Sequence, residues 1–124
     1  MARQFYISRG TETVYFPLSH VLYMEADGNY TIVYTLDGRK KMFTWQLGEV
    51  ARMIQYQLGK DGFSLARVGR GLIVNIAYVH IIDVADRLLV LSDCDGQYRE
   101  LTASQEALKD LTLLKNKLIS EGII

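Results

Sequence analysis

Arg67 and Arg70 are the two side chains of this sequence best suited to hold an anion. They lie three positions apart in the segment Arg67-Val68-Gly69-Arg70-Gly71. A guanidinium is a planar fork that matches the oxygens of a phosphate, or the O6/N7 edge of guanine, with two hydrogen bonds at once. The glycines beside Arg70 let the backbone turn and approach a partner closely. Because residues 62 to 82 contain no acidic side chain, the segment favours an anionic partner over the alternative, a surface arginine in a glycine-rich turn.

Two further polar segments could contact the same kind of partner. Arg39-Lys40-Lys41 directly follows Asp37-Gly38, a dipeptide typical of a tight hairpin turn, so its charges are expected at a loop edge where they could bind phosphates. The alternative is an edge strand that its lysines protect from aggregation. Asn29 ends the segment Asp27-Gly28-Asn29. An asparagine can read adenine in the major groove, but it is also a common turn residue.

These segments need a scaffold, and the sequence predicts one made mainly of strands. Short runs rich in β-branched and aromatic residues alternate with turns that are too short for parallel crossovers. We therefore expect a mainly β, antiparallel fold of about nine or ten short strands. The predicted strands cover residues 5–8, 13–16, 21–26, 30–36, 39–44, 63–68, 72–76, 78–84, 88–92 and 97–101.

Two short helices complete the predicted scaffold. Apolar residues at spacings of three and four predict a first helix over residues 45–58, with Thr44 as its N-cap and Gly59 just past its end. The segment Thr102-Ala103-Ser104-Gln105 matches a capping box, the pairing of side chains that opens many helices. We expect the second helix to follow it and to end at Gly122. Its predicted apolar stripe is Leu108, Leu111, Leu114 and Leu118.

Length and composition favour one domain, over residues 1–124, in a reducing compartment. The 14 basic and 14 acidic side chains give a formal net charge of zero. That balance argues against a protein that coats nucleic acid by bulk charge, but it is compatible with a local basic face. The single Cys94 cannot form an internal disulfide. With neither a signal peptide nor an apolar run of roughly 20 residues, we expect a cytoplasmic protein without a membrane partner.

No group of residues predicts catalysis, a metal or a cofactor. His20 and His80 each stand alone on predicted strands or their rims, without a metal-ligand spacing to Cys94. The aspartates beside Cys94 disfavour a thiolate nucleophile. They also lack the further ligands of a calcium loop. We expect a protein that is not an enzyme.

Three segments, in order along the chain, resemble the LytTR family of bacterial DNA-binding domains. Residues 21–30 resemble its opening strand and loop, an apolar run that ends in Glu-Ala-x-Gly-Asn-Tyr. Residues 63–75 resemble its central signature, Phe-x-Arg-Val-His-Arg-Ser-Tyr-Ile-Val-Asn, with extra residues between the Phe and the first Arg. Residues 101–104 resemble its closing segment at the start of the last helix, where an Arg often follows the Ser. The similarity covers roughly residues 5 to 118.

The resemblance implies an elongated antiparallel β fold of several small sheets with two short helices. It also implies a function: sequence-specific binding of double-stranded DNA by loops that enter the major groove, commonly at direct repeats, as the effector domain of a response regulator in a two-component system. By position, the residues expected to contact bases are Asn29, Tyr30, Arg70 and Gln105. The residues expected to contact phosphates are Arg39, Lys40, Lys41 and Arg67. Asn75 is expected to bond backbone rather than DNA.

Three residues depart from the family's pattern. Gly69 and Gly71 stand where the signature has His and Ser, and Gln105 stands where an Arg is common. Since two polar contacts and one charge are thereby missing, we expect a lower affinity or a different target sequence. A second hypothesis follows from them: an interaction or sensory module on the same scaffold that has lost DNA binding.

A receiver domain would not fit ahead of residue 5, so we expect a standalone domain or an excised effector half. For the apolar stripe of the last helix, two alternatives remain: it packs inside the domain, or it forms the interface of a homodimer.

Overall fold

The structure, a computed structural model, describes residues 3–124 of the chain. Over these residues it contains ten strands and two helices in three antiparallel sheets. The strands are β1 Gln4–Arg9, β2 Glu12–Pro17, β3 Val21–Asp27, β4 Tyr30–Thr35, β5 Lys40–Phe43, β6 Leu65–Val68, β7 Leu72–Asn75, β8 Val79–Asp83, β9 Leu88–Ser92 and β10 Tyr98–Thr102; the helices are α1 Leu47–Leu58 and α2 Gln105–Ser120. The predicted mainly β, antiparallel fold of small sheets with two helices is confirmed.

A five-stranded sheet with the order β5-β4-β3-β7-β6 stands between two smaller sheets, the β1–β2 hairpin and the three-stranded sheet β10-β9-β8. Successive residues of a strand point to opposite faces, and the central strands follow this rule. On β7, Ile73 packs with the hairpin and α1, whereas Leu72 and Val74 pack with the three-stranded sheet and α2. Both faces of the central sheet are therefore covered, and its polar turns are left at the two ends.

Arg99 on β10 connects the three-stranded sheet to the central one through contacts with two tyrosine rings. The rings of Tyr23 and Tyr34 are stacked with their centroids 4.4 Å apart. The guanidinium of Arg99 on β10 lies 5.2 Å from the Tyr34 ring centroid and 5.9 Å from that of Tyr23. A cation over an aromatic face is attracted by the ring quadrupole. Burial is the main reason why the pKa of the Tyr23 hydroxyl lies well above its ordinary value.

Both predicted N-caps were wrong by two residues. Helix α1 is capped by Gln46 rather than Thr44, through a capping box in which Gln46 and Glu49 accept from each other's backbone amides. Helix α2 is capped by Ser104, whose hydroxyl accepts from the amide of Ala107. The predicted capping box at Thr102 fails because that residue is still paired in β10.

Two smaller predictions also need correction. The strand predicted from residue 63 begins only at Leu65, because a 3-10 turn, Gly59–Ser64, takes up its first residues. In the apolar stripe of α2, Leu114 is 37% exposed. The neighbouring Lys115 is partly buried instead, and its ammonium donates to the carbonyls of Ile76 and Val79 at 2.9 and 2.6 Å. This lysine thereby ties α2 to the turn between β7 and β8.

Candidate nucleic-acid interface

The turn between β3 and β4 presents Asn29 and Tyr30 at one end of the central sheet. Asp27 pairs with Tyr30, so Gly28 and Asn29 form a two-residue turn, and Gly28 has a φ of 60°, which favours glycine. Both Asn29 and Tyr30 are exposed. The Oδ1 atom of Asn29 accepts from Nε2 of Gln46 at 3.3 Å, so this turn is docked on the first turn of α1.

The turn between β6 and β7 presents Arg70. Val68 pairs with Leu72, which leaves Gly69, Arg70 and Gly71 in the turn. Gly69 has a φ of 63°, a left-handed conformation that residues with a Cβ rarely adopt. Arg70 is exposed, and the guanidinium of Arg67 donates to its carbonyl oxygen at 3.1 Å. The glycine at position 69, where the family signature has His, is therefore matched to the backbone conformation of this turn.

These two turns lie at the same end of the central sheet. Glu25 on β3 pairs with Leu72 on β7, and the pairing continues one step further because the amide of Ala26 donates to the carbonyl of Gly71 at 2.9 Å. Antiparallel neighbours place the end of one strand beside the start of the next. The structure thus brings the segments that carry Asn29, Tyr30 and Arg70 together.

The N-terminus of α2 joins them from the other side. A Cβ atom built on Gly69 would lie 3.7 Å from the Cβ of Ala107, so the Arg70 turn packs on the first turn of this helix. An open groove of about 540 Å³ runs along this contact. It is lined by residues 68–72, 102–104, 106, 107 and 110. Gln105 is exposed at the helix start, and its Nε2 atom lies 3.5 Å from the carbonyl of Ala85.

Arg87, in the same turn as Ala85, is a further candidate that the sequence analysis does not identify. It lies in the turn between β8 and β9, is exposed and has a φ of 55°. Its carbonyl accepts from the amide of Ala103 at 3.2 Å, which fixes the turn beside the start of α2. A left-handed conformation in a residue other than Gly is uncommon and marks positions that tertiary contacts hold in place. The polar break between Val84 and Leu88 predicts a turn here, but the sequence carries no sign of its proximity to the start of α2.

Arg39, Lys40 and Lys41 lie elsewhere. Strand β4 runs from Tyr30 at the shared end to Thr35 at the opposite end, and Lys40 pairs with Tyr34 on the neighbouring strand. The guanidinium of Arg39 lies 3.6 Å from the carboxylate of Asp37, and the ammonium of Lys41 lies 2.9 Å from that of Glu12. The structure therefore does not bring this cluster to the end that carries Asn29 and Arg70.

The charge at the shared end is mixed rather than uniformly basic. Arg67, Arg70 and Arg87 are exposed there, but Glu106 and Asp110 line the same groove as Arg70. The N-terminal end of α2 adds the partial positive charge of its helix dipole. An arrangement of this kind suits discrete contacts to an anion and to hydrogen-bonding edges better than a broad electrostatic surface.

Two further features of residues 3–124 bear on other kinds of function. Among the described residues, no three His, Cys, Asp or Glu side chains come close enough together to hold a metal ion. No helix in that range is both long and apolar enough to cross a membrane.

Comparison with known proteins identifies the family to which a chain with this fold belongs. The family model described as "LytTr DNA-binding domain" matches residues 11–116. The chain therefore belongs to the LytTr DNA-binding domain family. No curated protein matches the chain.

A solved structure shares the fold. It is the LytTr DNA-binding domain of a protein from Bacillus cereus that is described as a methyl-accepting/DNA response regulator. The two chains are 24% identical, the match covers 90% of this chain and 94% of the other, and the TM-score is 0.59. The likeness supports the arrangement of sheets described above.

Proposed function

We propose that the chain binds double-stranded DNA sequence-specifically, as the effector domain of a bacterial transcriptional regulator, with its turns in the major groove. One observation carries the proposal: three segments distant in sequence, the Asn29 turn, the Arg70 turn and the start of α2, converge on one end of the molecule. The family to which the chain belongs supplies the ligand class. Since the major groove admits a protruding turn and displays a distinct pattern for each base pair, this end can serve as a reading surface.

Arg70 is the main base-reading residue in this proposal. It protrudes from a turn whose flanking residues are both glycines, so no neighbouring side chain stands between it and a base pair. An arginine with this freedom can donate two hydrogen bonds to guanine. Asn29, Tyr30 and Gln105 are the secondary contacts. The Oδ1 atom of Asn29 accepts one bond from Gln46 and retains a second lone pair for an adenine amino group.

Arg67 and Arg87 are the proposed phosphate contacts. Arg67 uses one guanidinium N–H on the carbonyl of Arg70, and a guanidinium has five N–H donors, so others remain for a phosphate. Arg87 is exposed beside the start of α2. Because Arg39, Lys40 and Lys41 lie toward the other end of the central sheet, we leave them outside the proposed interface. We further propose that two copies of the domain bind direct repeats on one duplex; the resemblance in sequence is the support for this.

Enrichment from a random-sequence duplex library tests the proposal without knowledge of the target. We expect the wild-type chain to enrich a defined sequence, and its affinity for that sequence to fall as salt rises, since phosphate contacts release counterions. Retention of no duplex at low salt, or retention without enrichment of any sequence, would contradict sequence-specific binding.

A second candidate function, a protein-interaction module with weakened DNA binding, is favoured by the carboxylates at the interface. Glu106 and Asp110 line the groove beside Arg70, and the chain as a whole has no net charge. The charge-neutralising variants Glu106→Gln and Asp110→Asn separate the two functions. If DNA binding is the function, removing these charges raises affinity for duplexes of any sequence; if it has been lost, neither variant restores retention on DNA.

A further inference from the structure

The backbone edge of β2 is free, whereas the matching edge of β1 is closed. The side chain of Gln57 on α1 accepts from the amide of Tyr6 at 2.8 Å and donates to its carbonyl at 3.0 Å. The glutamine amide thereby takes the place of a neighbouring strand. Tyr6 must therefore be a position of β1 whose N–H and C=O point away from β2.

The antiparallel register then fixes the direction of the groups on β2. Tyr6 pairs with Tyr15, and Ser8 pairs with Thr13. In an antiparallel ladder, partners alternate between pairs that bond each other and pairs whose backbone groups both point outward. The N–H and C=O of Tyr15 and Thr13 consequently point outward on the far side of β2, the edge that no other strand of residues 3–124 occupies.

This free edge borders a cleft of about 710 Å³ with a cationic opposite wall. Residues 14–17 of β2 line the cleft together with His20, Thr35, Leu36, Asp37, Arg39, Lys40 and Lys41. The lining residues thus include three cations, Arg39, Lys40 and Lys41, and one carboxylate, Asp37. The ion pairs that Arg39 and Lys41 make with Asp37 and Glu12 are exposed to solvent, and exposed pairs contribute little, so incoming carboxylates can replace them.

We propose that this cleft binds an extended acidic peptide segment, which adds to the free edge of β2 as a third strand. Strand addition uses main-chain hydrogen bonds for affinity and alternate side chains for specificity. Here the bonds come from Tyr15 and Thr13, and the carboxylates of alternate residues reach Arg39 and Lys41. Lys40 and Lys41 stand on β5, across the cleft from this edge, and their charges attract an acidic strand. The cleft lies away from the Asn29 and Arg70 turns, so the segment binds independently of the proposed DNA function.

The test uses two fluorescent seven-residue peptides, one alternating Glu with Val and one alternating Lys with Val. We expect the acidic peptide alone to bind, and the double variant Arg39→Gln/Lys41→Gln to lose most of that binding. Lys60→Gln, a change at another exposed lysine, is the matched control and should leave it intact. Backbone amide exchange reports the geometry. On binding, hydrogen exchange at the amides of Tyr15 and Thr13 should slow roughly tenfold, as expected for one new hydrogen bond each. Exchange at the amide of Val14 should stay unchanged.

Three results would overturn this inference. The first is absence of binding by the acidic peptide, and the second is equal binding of both peptides. The third is protection of Tyr15 by duplex DNA together with weaker DNA binding in the Arg39→Gln/Lys41→Gln variant, because the cations would then belong to the phosphate interface. A failure of DNA binding itself, with the peptide result intact, would count against the proposed function alone.

Discussion

The guanidinium of Arg67 donates to the carbonyl oxygen of Arg70 at 3.1 Å, across the turn that joins β6 to β7. The first arginine therefore braces the backbone from which the second one protrudes. Sequence spacing shows that the two are close, but not that one holds the other. This contact adds a second role, that of a brace for the turn, to the phosphate contact proposed for Arg67.

Replacement of Arg67 with Ala should weaken binding to the enriched duplex and also lower its salt dependence. Loss of one phosphate contact reduces the slope of log K against log salt by about one. Because the brace also positions Arg70, the double variant Arg67→Ala/Arg70→Ala should cost less than the two single changes added together. Titrations of the four proteins at several salt concentrations measure both effects. Strict additivity with an unchanged slope would show that Arg67 has neither role.

Replacement of Gly71 and Gly69 with the residues of the family signature should affect stability differently. A Cβ on Gly71 meets open space, whereas Gly69 has a left-handed φ of 63°. We expect Gly71→Ser to leave the free energy of unfolding nearly unchanged and to strengthen DNA binding by adding a hydroxyl. Gly69→His should lower the free energy of unfolding by about 1–2 kcal/mol, the cost of left-handed backbone in a residue with a Cβ. Denaturant unfolding compares the two, and equal losses of stability would contradict this account of the turn.

Asn75 should be one of the most sensitive polar positions. It is 3% exposed, donates to the carbonyls of Leu18 and Val21 at 3.1 and 2.9 Å, and accepts from the amide of Ala77. Asn75→Ala leaves buried backbone groups without partners, so we expect a loss of about 2–4 kcal/mol in the free energy of unfolding, since each such group costs about 1–3 kcal/mol. Asn116→Ala, on the exposed side of α2, is the control. A loss no larger than that of the control would contradict the proposed structural role.

Gln57 should stabilise the β1–β2 hairpin through its two bonds to Tyr6. Gln57→Ala removes both and is expected to cost about 1–2 kcal/mol, at a typical net value of about 1 kcal/mol per hydrogen bond. Its exposed neighbour Gln55 offers a matched change, Gln55→Ala, which should cost much less. Hydrogen exchange at the Tyr6 amide should accelerate only in the first variant. Unchanged exchange there would also remove the basis for assigning the free edge of β2.

The sequence was sufficient to predict the strands, the sheet type and the structural role of Asn75. Alternating apolar residues and short Asp-Gly and Asn-containing turns carry that information locally. The burial and hydrogen bonds of Asn75 confirm that it bonds backbone, as predicted. The helix starts were less accessible, because Gln46 is an unusual cap and Thr102 has the spacing of a capping box while it is paired in a strand.

The arrangement of the candidate site was only partly readable. Local composition makes Arg70 a candidate, and the left-handed φ of Gly69 shows the tight turn that the glycines beside Arg70 predict. The proximity of Arg87 to α2 and the separation of Lys40 from Asn29 depend on strand order. Strand order arises from pairings between distant segments, and no local pattern encodes it.

The most direct test of the proposed function compares wild type with Arg70→Ala on two duplexes, the enriched sequence and a scrambled one of equal length. If Arg70 reads a base, the variant loses on the order of 1–3 kcal/mol on the enriched sequence and little on the scrambled one, so the ratio of the two affinities collapses. The same loss on both duplexes would make Arg70 a phosphate contact. No loss on either would contradict the central place given to this turn.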